Sequence, residues 1–270
     1  MIDSKKIIKE SGLVPNKALG QNFLTDISAV TRIAELSRCN GKHVLEIGPG
    51  LGVLTGELSK TAVQVTAVEI DSQMVAFLTD LLSARANVRI VNKDFLKLTV
   101  NDITELTNGS GFTVAANLPY YITSAAAMKL IDSPLPIERM VLMMQTEAAD
   151  HFTAGPRAKC YTPVSVLSNR YYRVTKEFEL SPSSYYPEPA VSSAVLLFER
   201  NGIPYDPSFS KLVKTAFAMR RKTLRNNLSG LIPKETVPAV IESAGLNASC
   251  RAEELSVDDF VKLNDALALR

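Results

Sequence analysis

The chain has 270 residues, 46% of them hydrophobic and 21% charged, with a formal net charge of +2. That size and composition describe a globular protein able to bury a proper core, and so mild a charge permits a nucleic-acid partner only if cations cluster locally. Three scattered cysteines, Cys39, Cys160 and Cys250, argue against a disulfide framework or a zinc site, and two histidines, His43 and His151, argue against a histidine triad or a histidine-rich metal site.

The N-terminus lacks an apolar stretch long enough for a signal peptide, and no apolar run approaches the roughly 18 residues of a membrane span. The expectation is a soluble, cytoplasmic monomer with no metal. Residues 3–12 read as a short helix with Ile7 and Ile8 on one face. A polar segment broken by Pro15 and Gly20 follows, and its Gln21, Asn22 and Phe23 are unusual choices for a linker. Asp26 is a good N-cap for a helix over 27–37.

From His43 strands and helices alternate. Strands are predicted at 43–47, 63–70, 88–91, 112–116 and 140–144, with helices at 53–60, 72–83 and 125–131. Such alternation indicates a mainly parallel sheet covered on both faces. Two further extended runs, 171–178 and 193–198, flank the loop Ser181-Pro-Ser-Ser-Tyr-Tyr-Pro-Glu-Pro189 and should add an antiparallel edge. Asn201-Gly202-Ile203-Pro204 marks a boundary, which divides the chain into 1–203 and 204–270. The second part reads as helix only, with Phe209, Leu212, Val213, Ala216 and Phe217 on one face and a capping pair ahead of a last helix at 256–267.

Glu46-Ile-Gly-Pro-Gly-Leu-Gly52 sits where the first strand turns into a helix. Glycines let a backbone approach a ligand closely. The spacing is GxGxG, which differs from the dinucleotide fingerprint GxGxxG. Glu69, ending the second strand, can accept hydrogen bonds from two ribose hydroxyls, and Asp94, ending the third, can hold an adenine amine. Ribose and adenine recognition without the dinucleotide spacing points to S-adenosylmethionine. The fourth strand breaks into Asn117-Leu118-Pro119-Tyr120, where Pro119 stops the ladder and leaves an amide, carbonyls and a ring suited to a planar base with an amino group.

With these residues in view, the chain resembles the class I methyltransferases and, more narrowly, the KsgA family of small-subunit ribosomal RNA adenine dimethyltransferases. The matching stretches are Gly20-Gln-Asn-Phe-Leu24, Glu46 to Gly52, Glu69-Ile-Asp71, Asp94, Asn117 to Tyr120, Tyr185-Tyr-Pro-Glu-Pro189, Arg220-Arg-Lys-Thr-Leu-Arg225 and Arg251-Ala-Glu-Glu-Leu255, in family order over nearly the whole chain. The resemblance implies a Rossmann-like fold with a seven-stranded, mainly parallel sheet and a small all-α C-terminal domain that positions RNA. It implies S-adenosylmethionine as cofactor, contacted by Asn22, Leu24, Gly48, Glu69, Asp94 and Asn117, with Gln21 and Gly50 of the same stretches counted among them. It further implies that Asn117, Leu118, Pro119 and Tyr120 grip the target adenine and that the partner is the small ribosomal subunit with its RNA. Ala190 and Ser192 replace a common Lys and Asp, and Tyr185 replaces the usual Phe. Tyr121 and Thr146 also differ from the usual residues.

The chemistry expected is methylation of a poorly nucleophilic adenine amine, held by the Asn117 side-chain oxygen and the Leu118 carbonyl, with Tyr120 and Tyr185 stacking on the base from either side. Arg220, Arg221, Lys222 and Arg225 are expected on a helix, as phosphate contacts or as a solvated basic face. His151 is expected on a helix surface. A related resistance methyltransferase acting on large-subunit RNA shares the cofactor and base features, and the Arg220–Arg225 match favours the small subunit. An assembly factor with incidental methylation and a dinucleotide-dependent oxidoreductase are the readings from other classes; the glycine spacing disfavours the latter.

Overall fold

The protein is described from a computed structural model over residues 7, 8, 15, 16 and 20–268. The helix expected over 3–12 lies outside the described residues except for Ile7 and Ile8, which are helical.

Helix α1 (Ile27–Ser37) starts at Asp26, whose carboxylate accepts from the Ser28 and Ala29 amides, and buries Ala29, Val30 and Ile33. There follow β1 (His43–Ile47), α2 (Val53–Leu58), β2 (Gln64–Glu69), α3 (Ser72–Leu81), β3 (Val88–Asn92), α4 (Val100–Leu106), β4 (Phe112–Asn117), α5 (Thr123–Ile131) and β5 (Ile137–Gln145). Helices α6 (Thr146–Thr153) and α7 (Pro163–Tyr171) lead to β6 (Tyr172–Leu180) and β7 (Ser193–Arg200).

The seven strands lie in the order β3-β2-β1-β4-β5-β7-β6. β1 to β5 pair in parallel, and β7 pairs antiparallel to β5, from Arg139↔Glu199 to Gln145↔Ser193. The two late strands do close the sheet as expected, with β7 inside β6. Their sequences explain that order. Ala194 to Phe198 is continuously apolar and fully buried, the pattern of a strand with neighbours on both sides. Tyr172 to Leu180 carries Arg173, Lys176, Glu177 and Glu179, and such charges suit an edge.

The chain runs outward from β1 to β2 and β3 and then returns to place β4 on the other side of β1. The carboxyl ends of β1 and β4 therefore form a topological switch point, the position where open parallel sheets leave a crevice for ligands. Gly52, the residue before α2, has φ +73° and lies under α3; a Cβ there would meet Leu78 Cδ2 at 2.7 Å. Gly52→Ala is therefore expected to lower stability by about 2 kcal/mol through left-handed strain and overpacking, read as a fall of several degrees in melting temperature by circular dichroism. An unchanged melting temperature would contradict this.

The chain divides into two compact units: residues up to Ala149 with Val174–Arg200, and Asp150–Arg173 with Asn201 onward. This differs from a single cut at 203/204, because residues 150–173, including α7, cluster with the C-terminal helices. The helical unit continues with α8 (Pro207–Ala216), α9 (Leu224–Leu228), α10 (Val237–Ser243) and α11 (Val257–Ala268). Half-buried Phe217 packs on its core, with its ring 5.9 Å from both Tyr161 and Phe260, and the Tyr161 hydroxyl donates to the Leu255 carbonyl at 2.8 Å. The Ser256 hydroxyl and Asp259 carboxylate cap the start of α11 reciprocally, as the sequence predicts.

Candidate active site

The cleft at the switch point is lined by Gly20 to Leu24, Glu46 to Gly50, Glu69, Ile70, Asp94 and Asn117 to Ile122. Each of these sits where local folding puts it. β1 ends at Ile47 and the chain turns through Gly48, Gly50 and Gly52, all with positive φ. Gly48 donates to the Val68 carbonyl at 3.0 Å, and a Cβ on Gly50 would stand 3.2 Å from the Phe23 ring, so this turn packs closely against both neighbours.

Glu69 ends β2 and is 6% exposed; its Oε1 accepts from the Asp71 amide at 2.9 Å. Burial raises its pKa against the lowering effect of the backbone amides around it. Asp94 lies just beyond β3. Its Oδ1 caps the following turn by accepting from the Leu96 amide at 2.9 Å, and Lys97 approaches Oδ2 at 3.8 Å. Successive strands thus deliver two acids to one cleft.

Asn117 is the last residue of β4. Its Nδ2 donates to the Asn22 carbonyl at 3.3 Å, which orients the amide and leaves Oδ1 as an acceptor with no donor among the described residues. The Leu118 amide bonds the Met143 carbonyl at 3.0 Å. The Pro119 carbonyl is taken twice, by the Ile122 amide and the Thr123 hydroxyl, both at 3.1 Å, whereas no described donor meets the Leu118 carbonyl. Two acceptors therefore stand ready at the strand end. Tyr120 lines the cleft with its hydroxyl 3.2 Å from Ser193 Oγ.

From the N-terminal segment, Gln21 and Asn22 line the cleft and are held in place by their own bonds. Gln21 Nε2 donates to Asp71 Oδ2 at 3.3 Å and its Oε1 accepts from the Asn16 amide at 2.8 Å, while Asn22 Nδ2 donates to the Gly20 carbonyl at 3.1 Å. Leu24 is 8% exposed and, with Phe23, forms a two-residue antiparallel ladder with Tyr185 and Tyr186.

That ladder corrects the expectation for Tyr185. Its side chain is 3% exposed, its hydroxyl meets Met143 Sδ at 3.1 Å, and it is absent from the cleft lining. Strand alternation turns Tyr185 into the core and Tyr186, 49% exposed, outward. Tyr185 supports the strands beneath the site and presents no open stacking face.

The basic cluster also differs from expectation. Arg220, Arg221 and Lys222 lie in the turn between α8 and α9, and only Arg225 is helical. Arg220 is committed internally: its guanidinium donates to the Lys159 carbonyl at 2.5 Å and to Glu253 at 3.3 Å. Arg221, Lys222 and Arg225 are exposed and have no ion pair among the described residues. His151 sits in α6, with Nδ1 2.8 Å from the Cys160 carbonyl.

Glu46 has a place in the site that was not assigned to it from sequence. It is 1% exposed in β1, lines the cleft, and its Oε2 has no hydrogen-bond partner among the described residues. Burial pushes its pKa up to about 8, eased by the nearby Thr55 hydroxyl and increased by Glu69. The signal was a carboxylate inside an otherwise apolar strand, a position at which an acid is rarely tolerated without a partner. An S-adenosylmethionine molecule fits these features: a cation for the Glu46 oxygen, ribose and adenine for the two strand-end acids, and no pyrophosphate.

A family model described as ribosomal RNA adenine dimethylase matches residues 13–269. The chain is 38% identical over 280 residues to ribosomal RNA small subunit methyltransferase A of Enterococcus faecalis, covering 98% of this chain and 94% of that protein. It is 36% identical to the Bacillus pumilus protein of the same name, covering 98% and 96%. Among solved structures, a dimethyladenosine transferase from Plasmodium falciparum has the same fold, with a TM-score of 0.74 at 24% identity over 89% of this chain and 95% of that one. The 23S rRNA methyltransferase ErmE gives a TM-score of 0.68 at 26% identity, over 92% and 100%. With its seven-stranded sheet, its cleft and these relatives together, the chain belongs to the ribosomal RNA adenine dimethylase family.

Proposed function

We propose that the protein transfers methyl groups from S-adenosylmethionine to the exocyclic amines of two adjacent adenines in small-subunit ribosomal RNA, forming dimethyladenosines during subunit biogenesis. The observation that carries this is the meeting, at one switch point, of the two strand-end acids with the open acceptors of Asn117 and Leu118. When bound, the cofactor supplies an electrophilic methyl group on sulfur.

The residues do the rest by position. The amine lone pair of adenine is delocalised into the ring, so the free base is a weak nucleophile. Asn117 Oδ1 and the Leu118 carbonyl accept its two hydrogens and favour a pyramidal nitrogen with its lone pair turned to the donor. The methylated nitrogen is cationic and strongly acidic, and water takes its proton, so no side-chain base is needed. Tyr120 offers the base a stacking face, worth about 1–3 kcal/mol. The adenine enters unpaired or flipped out.

Residues 204–270 position the RNA in this reading, with Arg221, Lys222 and Arg225 contacting phosphates and Arg220 bracing the turn that carries them. In this reading the protein acts as a monomer on ribosomal subunits in the cytoplasm; no described helix is long and apolar enough to cross a membrane. The test is incubation with labelled S-adenosylmethionine and unmethylated small or large subunits. Label is expected in small-subunit RNA at two neighbouring adenines by mass spectrometry. Label confined to large-subunit RNA would replace the substrate, and no transfer with the cofactor bound would end the enzymatic reading.

A further inference from the structure

Tyr121 follows Tyr120 in sequence but has a different environment. Its side chain is 55% exposed, makes no hydrogen bond among the described residues, and lines the same cleft. Ile70, directly after Glu69, is 45% exposed and lines the cleft as well, so this apolar mouth is open to water. A flat, partly apolar ligand is what would cover such a surface.

Two observations place Tyr121 at one end of the cleft. A Cβ built on Gly20 would stand 3.7 Å from Tyr121 Cδ1, which sets the ring beside the segment carrying Gln21 and Asn22. The phenol has its pKa raised by partial burial and then by the charges of Asp94 and Glu69, so it lies within electrostatic reach of both strand-end acids. Tyr120, by contrast, is tied by its hydroxyl to Ser193 on β7. The two adjacent rings thus differ: Tyr120 is anchored through its hydroxyl, whereas Tyr121 is exposed and makes no hydrogen bond among the described residues.

We propose that Tyr121 is a binding residue for the methyl donor, its ring covering the nucleoside held by Glu69 and Asp94 and closing that end of the cleft, while Tyr120 alone serves the target base. This rests on the reading of the cleft as an S-adenosylmethionine site. Ring contact matters in this arrangement and the phenolic hydroxyl does not, because the hydroxyl has no partner to lose.

Calorimetric titration of S-adenosylhomocysteine and of 5′-methylthioadenosine into the wild-type protein, Tyr121→Phe and Tyr121→Ala tests it. The Phe variant should bind both ligands within about twofold of wild type, and the Ala variant about tenfold more weakly, the loss of one base–aromatic contact. Because the side chain is exposed, both variants should keep the wild-type melting curve, and at saturating donor the Ala variant should keep the wild-type KM for the subunit. An Ala variant that binds both ligands like the wild type, or that changes only the KM for RNA, overturns the assignment of Tyr121. A wild-type protein that binds neither ligand instead removes the donor reading of the cleft.

Discussion

Asn117→Ala is expected to reduce methyl transfer by about a hundredfold to a thousandfold, the scale set by losing a preorganised polar group at the reacting centre. Truncation removes Oδ1, the acceptor proposed for the adenine amine, and also Nδ2, whose bond to the Asn22 carbonyl at 3.3 Å ties β4 to the N-terminal segment. The second loss falls on the donor side of the cleft, so S-adenosylhomocysteine should bind several-fold more weakly. Small-subunit binding, for which the proposed phosphate contacts lie elsewhere, should persist. Asn117→Asp separates the two roles. It keeps an acceptor but cannot donate to Asn22, so it should retain measurable transfer with a weaker grip on the donor. Single-turnover transfer and calorimetry on both variants read these outcomes. A loss below tenfold in Asn117→Ala would show that the Leu118 carbonyl and Tyr120 orient the base unaided.

The parallel sheet was legible because its inner strands β1, β2, β4 and β5 are largely buried on both faces and read as apolar runs between turn signals. The site was legible where backbone chemistry is unusual: the glycine turn, the strand broken by Pro119, and acids at the ends of β2 and β3. What was missed has physical reasons. Helix α4 (Val100–Leu106) carries polar residues at 101, 102, 104 and 105, and helix α7 is rich in Ser, Asn and Arg, so neither gives a clear amphipathic stripe. Tyr185 and Tyr186 are adjacent in a strand, and a sequence cannot say which faces inward until the partner strand, Phe23–Leu24, is known. The run Arg220–Lys222 falls in a turn because Asn227 caps the end of α8, its Nδ2 donating to the Ala216 and Met219 carbonyls, a contact made across the chain.

Glu46→Gln is expected to make the donor-free protein more stable at alkaline pH, by up to about 5 kcal/mol above pH 8. In the unfolded chain this carboxyl loses its proton near its ordinary value of 4.5, whereas in the folded protein burial holds the proton until about 8. Between those values the folded state binds more protons than the unfolded state, so stability falls as pH rises through that window. Glu69, with its pKa also raised by burial, adds to the slope in the same direction. Glutamine is a neutral isostere of the protonated acid and leaves nothing to ionise, so the variant should match the wild type below about pH 5 and exceed it increasingly toward pH 8.5. Urea denaturation at several pH values measures the slope directly. The gain should carry a functional cost, because the Glu46 oxygen that lacks a partner in the described structure is the group a cationic donor would satisfy. S-adenosylmethionine, with its positive sulfonium, should therefore lose affinity for Glu46→Gln by a larger factor than the neutral thioether S-adenosylhomocysteine. Parallel stability slopes in the two proteins would show that Glu46 ionises at its ordinary pKa in the folded state, and with that both the stability gain and the selective loss of the sulfonium would be refuted.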